Sequence, residues 1–385
     1  MQSLLSALAL IKVNAVKVKK ISTTLARRLW KFCTGSSHQE AKLTQTNPKD
    51  TNTLFLTGLR GYSALAVFFI HSGGGGLRSF GDWANKLVDL GKYGVISFFV
   101  LSSLTLAMSI GRARKFSYSH YLLRRFARIF PMYCVAMIAF WCLGGNDYYQ
   151  KLFGVASRDV FDLFAHLTFL NLWNVRYQNS IIGVEWAVPL EMWTYLIIPP
   201  LFFLISRSSP AWKYVLFIAT IALAWQDFRW HQDELEAQWA IETYLYCFIG
   251  GIIAHSYWDR FNLSAQAADK LVIVILIGAI FPLGGGHVLD LWYTVVIMAL
   301  ALVLSQARYT RRIFENRPIV IIGNISFSFY LVHYPVLNFL AEHHYSDVMK
   351  MMIGLVATSA IAYLCHVLIE KPALKLSGKL YRYDS

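Results

Sequence analysis

The sequence predicts an all-α protein, a polytopic membrane helix bundle of about ten transmembrane helices with both termini cytoplasmic. Three observations predict it. Of 385 residues, 56% are hydrophobic and 15% charged, whereas a water-soluble domain carries roughly a quarter charged residues. The apolar residues gather in runs approaching the ~20 residues an α-helix needs to cross a bilayer. The basic residues alternate from side to side along the chain.

The runs lie near 55–73, 90–110, 129–144, 186–205, 213–226, 240–258, 270–283, 291–306, 318–341 and 351–369. A further segment at 161–173, FDLFAHLTFLNLW, is predicted to insert only partway. With the N-terminus inside, 27 Lys and Arg residues fall on the cytoplasmic side and 8 on the outer side. That asymmetry is the positive-inside pattern. The acidic stretch Asp233–Glu236 falls outside. Topology thus accounts for the formal net charge of +14, and no nucleic-acid partner is needed.

Residues 1–54 read as a cytoplasmic tail and linker whose amphipathic start lies on the membrane surface. The basic residues follow the short apolar run instead of preceding it, which argues against a signal peptide. Residues 55–370 form one integral-membrane domain, and 371–385 a second cytoplasmic tail. No repeat of fixed period and no appended soluble domain are predicted. Cys33, Cys134, Cys142, Cys247 and Cys365 are scattered without CxxC spacing, so neither a disulfide nor a metal site is expected. Neither a phosphate-binding P-loop nor an HExxH motif occurs.

Function must come from residues that do not belong in lipid. In LRGYSALAVFFIH, Arg60 and His71 are eleven residues apart. That is within about 20° of three full turns, so both share one helix face, separated by a rise of about 16 Å. Arg60 is expected near the cytoplasmic boundary and His71 around the middle of the membrane. A central charge costs about 2.5–3.5 kcal/mol on insertion scales, so such residues face a cavity or a partner. A satisfied core histidine with a snorkelling arginine is the plainer alternative. Gly73 to Gly76 then end the helix.

In YLLRRFARIFPMY, Arg125 and Arg128 are neighbours on a helix surface. With Arg124 they make a cluster suited to phosphate, or a simple positive-inside anchor. Glu191, in GVEWAVPLEMWTYLIIPPL, lies within an apolar helix and must be protonated or paired, for instance with an arginine. Glu185, six residues earlier, is expected about 240° away on a different face. In ISFSFYLVHYPV, His333 is a second membrane histidine that Tyr330 and Tyr334 could simply satisfy. Together these residues point to group transfer in or across the membrane, from a phosphate-bearing donor to a hydroxyl. A transporter remains the alternative.

These segments resemble acyltransferase family 3, integral-membrane acyltransferases that include O-acetylases of bacterial surface polysaccharides. The resemblance runs from about Leu56 to Pro372. It rests on Arg60 with His71, FFVLSSLTLA, Arg125 with Arg128, the Trp186–Glu191–Tyr195–Pro199 pattern, ISFSFYLVHYPV and the terminal EKP. It implies an acyl-CoA co-substrate, usually acetyl-CoA, entering from the cytoplasm, with no permanently bound cofactor and no metal. It implies a glycan or glycolipid acceptor on the outer side and a multi-pass location in a bacterial inner membrane.

By the same resemblance, His71 is the catalytic base or transient acyl acceptor. Arg60 orients it or stabilises developing charge, and Glu191 completes the site. Arg125 and Arg128 meet the coenzyme A phosphates, while Trp186, Tyr195 and His333 are expected to contact substrate. The chain departs from the family at Thr57, where an acidic residue is common, and at Ser103, where glycine is common. A flippase for a glycan precursor is the competing class; inverted repeats with paired broken helices would mark it.

Overall fold

The computed structural model describes residues 53–230, 239–281 and 287–383. The predicted N-terminal tail to residue 52 and the acidic stretch 233–236 lie outside the described residues. Most of those described are helical, with no strand among them.

The first helices are α1 (Leu54–His71), α2 (Asp82–Asp89), α3 (Gly94–Arg112) and α4 (Tyr118–Cys142). Two short helices follow, α5 (Asp147–Phe153) and α6 (Val160–Leu167). Next come α7 (Ala187–Arg207), α8 (Pro210–Trp230), α9 (Ile241–Tyr257), α10 (Ala265–Ile280) and α11 (His287–Leu304). The chain closes with α12 (Arg317–Asn324), α13 (Ser326–Ala341), α14 (Asp347–Cys365) and α15 (Lys371–Tyr383).

Among the described residues, nine of the ten predicted apolar runs lie mainly on one of these helices, and the run 318–341 is broken into α12 and α13. Five stretches among the described residues are long and apolar enough to cross a membrane: α1, α2 through α3, α4, α7, and α14 into α15. The pair α12–α13, bent by 81° at Ile325, would make a sixth. Helices α9 and α10, with 17 and 16 residues, fall short of a full crossing by length alone. The segment predicted to insert partway becomes α6 and the turn Leu170–Trp173. It exposes Phe161, Phe164, Leu170 and Trp173 while burying Asp162 and His166.

Helix α1 is the central rod, and small residues let its neighbours touch it. A Cβ at Gly58 would lie 1.6 Å from the Phe314 carbonyl oxygen, and one at Gly323 1.9 Å from that of Thr57. The backbone of α1 therefore meets directly both the short turn of helix Arg311–Phe314 and α12. On the other side, Gly94 of α3 packs on the Ser63 carbonyl. The rod stops where predicted. Gly73 to Gly76 take φ of 67°, 67°, 61° and 87°, which side-chain-bearing residues adopt only at a cost. The chain leaves the rod immediately beyond His71.

One expectation needs correction. Glu185 is not on the helix of Glu191, because α7 starts only at Ala187. The helical angle between the two carboxylates therefore does not apply. Glu185 belongs to the preceding loop.

Candidate active site

Helix α4 begins eleven residues before the predicted run, so Arg124, Arg125 and Arg128 ride on a helix. Arg125 and Arg128 turn toward α1, where they meet Arg60. These three, with Glu191 and Tyr195 of α7, line a cavity of about 670 Å³. Phe98, Phe99 and Ser102 of α3 and Tyr330 of α13 complete its wall.

The charge in this cavity is unbalanced. Arg60 donates through Nη2 to Thr105 Oγ1 at 3.1 Å and to Ser102 Oγ at 3.4 Å, both neutral acceptors. Glu191 accepts the Tyr195 hydroxyl rather than an arginine. The Nε atoms of Arg60 and Arg125 are buried with no hydrogen-bond partner. A guanidinium carries five N–H donors, and leaving a buried one unmet costs about 1–3 kcal/mol. Three arginines facing one carboxylate, with donors to spare, make a receptor for an anion.

A second cavity, of about 1110 Å³, shares Arg125 with the first. Arg112, Lys115, His120 and Arg124 also line it, and no described carboxylate does. Thr105, the partner of Arg60, lies on its wall as well. The second cavity, a basic vestibule, and the first, a basic chamber, share Arg125 in their walls.

His71 is not in the chamber. It ends α1, is exposed, and meets α13. Its Nδ1 lies 2.9 Å from Nε2 of His333, and Tyr334 stands edge-on to its ring at 5.2 Å. His333, expected to touch substrate, lies behind His71, only 1% exposed. Both nitrogens of His333 are engaged, since its Nδ1 is 2.6 Å from the Tyr330 carbonyl oxygen.

That geometry fixes the protons. A carbonyl only accepts, so His333 Nδ1 carries hydrogen and the neutral ring leaves Nε2 as an acceptor. His71 Nδ1 must then be the donor. The lone pair of His71 is left on Nε2, the nitrogen not held by the protein. The same tautomer logic underlies histidine bases held by a buried partner. Tyr330 joins the two regions: its ring lines the arginine chamber and its carbonyl anchors His333.

The remaining expected residue, Trp186, is outside the chamber lining. Its ring packs against Phe99 at 6.1 Å and Tyr244 at 5.3 Å, so it backs the chamber wall.

With this geometry in view, the comparisons with known proteins converge. The profile of the acyltransferase domain known as Acyl_transf_3 matches residues 53–369. The chain belongs to this acyltransferase family. Among curated proteins it is similar to the O-acetyltransferase OatA of Staphylococcus aureus (strain NCTC 8325 / PS 47), 22% identical over 369 residues, covering 85% of this chain and 58% of that protein. It is also similar to the peptidoglycan O-acetyltransferase OatA of Listeria monocytogenes (serovar 1/2a, strain ATCC BAA-679 / EGD-e), 24% identical over 359 residues, covering 83% and 55%. A putative acetyltransferase, ORF330 of Acidianus two-tailed virus, is 26% identical over 185 residues, covering 47% and 49%. The chain spans a little over half the length of the OatA proteins. No solved structure matched significantly.

Sequence reasoning missed a buried charged cluster beside this site. His166 Nδ1 lies 3.0 Å from Asp162 Oδ1 and its Nε2 3.2 Å from Glu185 Oε1. All three residues are at most 1% exposed. Burial works against a charged ring here, but the two flanking carboxylates overcome it and hold His166 at about 9. The readable signal was a histidine and an acid four apart in a short apolar helix, at Asp162 and His166.

Proposed function

We propose that the protein is a membrane O-acyltransferase, moving an acyl group, most simply acetyl, from acyl-CoA on the cytoplasmic face to a hydroxyl of a cell-surface polysaccharide or glycolipid. Its setting is the bacterial inner membrane, with about ten spans, both termini inside and residues 55–370 as the membrane domain. Family membership and the O-acetyltransferase names of the OatA relatives support this reading. The observation that carries it is the histidine pair: an exposed His71 whose free Nε2 is fixed by buried His333, at the far end of the helix that holds Arg60.

In this reading the coenzyme A phosphates contact the vestibule residues and Arg125, and the thioester arm passes Arg60 and Arg128. Glu191 positions Tyr195 and offsets part of the arginine charge. Trp186 supports the wall through Phe99. The acceptor hydroxyl approaches His71, whose Nε2 removes its proton. The oxygen attacks the thioester carbonyl carbon, an oxygen–carbon bond forms, and the carbon–sulfur bond breaks. The sulfur leaves with the proton held on His71, giving the ester and free thiol. Throughout, His71 Nδ1 keeps its hydrogen on His333, so the imidazolium forms without rearrangement.

A flippase would be favoured by paired broken helices. Among the described residues one broken pair, α12–α13, is found.

The test uses membranes carrying the full chain, acetyl-CoA labelled in its acetyl group, and surface glycan isolated from the same cells. Label is expected in the glycan with the unaltered protein and not with His71→Ala at equal protein level. Equal labelling by both removes His71 from the chemistry. Glycan movement without label in either favours the flippase.

A further inference from the structure

The mechanism above makes no use of Glu185, yet no carboxylate among the described residues is more thoroughly engaged. Oε1 accepts from the backbone amides of Ile181 at 2.8 Å and Ile182 at 3.0 Å. Oε2 accepts from those of Gly183 at 2.5 Å and Val184 at 2.9 Å. Four successive amides converge on one side chain, a nest of the kind that holds anions. Gly183 makes this possible with a φ of 106° that a side chain would resist. Behind the nest, His166 links Glu185 to Asp162, and Asp162 Oδ1 also accepts the Ser180 hydroxyl at 2.7 Å.

The loop so gathered lies against the histidine pair. The Tyr330 hydroxyl donates to the Val184 carbonyl, and Tyr330 is the residue whose own carbonyl anchors His333. A Cβ at Gly183 would come within 2.5 Å of the Tyr334 ring, and Tyr334 stands edge-on to His71. Two of the four nested residues therefore bear on Tyr330, which anchors His333, and on Tyr334, which stands beside His71. Glu185 itself does not line the arginine chamber.

We infer that Glu185 is a positioning residue: by gathering Ile181–Val184 it holds Tyr330 and Tyr334 in place beside the histidine pair, and so sets how an acceptor hydroxyl approaches. The inference rests on the acyltransferase reading. It assigns the loop to acceptor placement and not to donor binding. A glutamine cannot substitute, because its amide nitrogen would face amide donors where an acceptor is needed.

The experiment compares unaltered protein, Glu185→Gln and Asp162→Asn as full chains in membranes. Two quantities are measured with acetyl-CoA: thiol release with water as the only acceptor, and acetyl transfer to graded amounts of surface glycan from the same cells. Glu185→Gln is expected to raise the glycan concentration for half-maximal transfer about tenfold or more, equivalent to ~1.4 kcal/mol. Thiol release without glycan should stay within about twofold of the unaltered protein, twofold being ~0.4 kcal/mol. Asp162→Asn, which keeps the nest and loosens its backing, should shift in the same direction by less. If Glu185→Gln does not accumulate, the Asp162→Asn split decides. Equal losses in both measurements, or unchanged transfer, overturn the inference. If the unaltered protein consumes no acetyl-CoA, the acyltransferase reading fails first, before any variant is compared.

Discussion

Replacing His333 is the sharpest test of how the base is held. In the structure its Nε2 accepts from His71 Nδ1 at 2.9 Å, and its Nδ1 donates to the Tyr330 carbonyl at 2.6 Å. His333→Ala removes both links. Because His71 is exposed, water can take over its Nδ1–H, so the lost hydrogen bond itself is worth only about 1 kcal/mol. The larger loss is orientation. A ring free to rotate and to exchange tautomers misplaces Nε2, and a 1 Å misplacement costs about 10²-fold. We therefore expect His333→Ala to lower the turnover of acetyl transfer ~10²-fold while the donor concentration dependence stays within about twofold.

His333→Gln is the matched control. A glutamine amide can donate to the Tyr330 carbonyl and accept from His71 at once, and should recover about a factor of ten, or ~1.4 kcal/mol. His333→Phe, with similar bulk and neither function, should not. The assay is label transfer from acetyl-CoA to surface glycan at saturating donor, with folded protein quantified by size-exclusion in detergent. Full activity in His333→Ala, or equal activity in the Gln and Phe variants, would refute the relay.

Three further outcomes follow from the same geometry. Arg125→Ala removes a guanidinium shared by both cavities, and should raise the half-saturating acetyl-CoA concentration about tenfold, ~1.4 kcal/mol, more so at low salt. An unchanged donor titration counts against a phosphate contact. Tyr195→Phe frees Glu191 from its hydroxyl partner; the released carboxylate can then approach the arginines, and donor affinity should fall by about threefold, ~0.7 kcal/mol. Donor affinity that holds or improves denies Tyr195 that restraining part. His166, held at about 9 in the folded protein against about 6.5 unfolded, contributes stability that is complete below pH 6.5 and lost as pH rises through 9. At ~1.4 kcal/mol per unit this amounts to roughly 3 kcal/mol. The thermal midpoint in detergent should fall over that range, and His166→Asn should flatten the fall; parallel curves would argue that His166 is uncharged throughout.

Much of this was legible in the sequence because lipid imposes strong rules. Apolar run length placed most of the helices, and an arginine and a histidine eleven residues apart on one run marked α1 as the candidate functional rod. The glycine run located its end. Two things were not legible. His333 reads in sequence as one more histidine among tyrosines; only folding brings α13 beside the end of α1 and reveals both ring nitrogens engaged. Glu185 looks helical by proximity to Glu191, but its carboxylate satisfies four amides better outside a helix than within one. A helical backbone would have directed those N–H groups into its own carbonyl ladder.

Because Arg60 and His71 stand on one unbroken helix, the span between them cannot stretch. The rod acts as a ruler. A thioester on a short carrier, lacking the phosphate-bearing portion, could still reach the far end but would arrive unanchored. Contacts remote from the reacting carbon would then govern speed as well as affinity, and small thioesters such as those abundant in metabolism would be turned over slowly however concentrated they became.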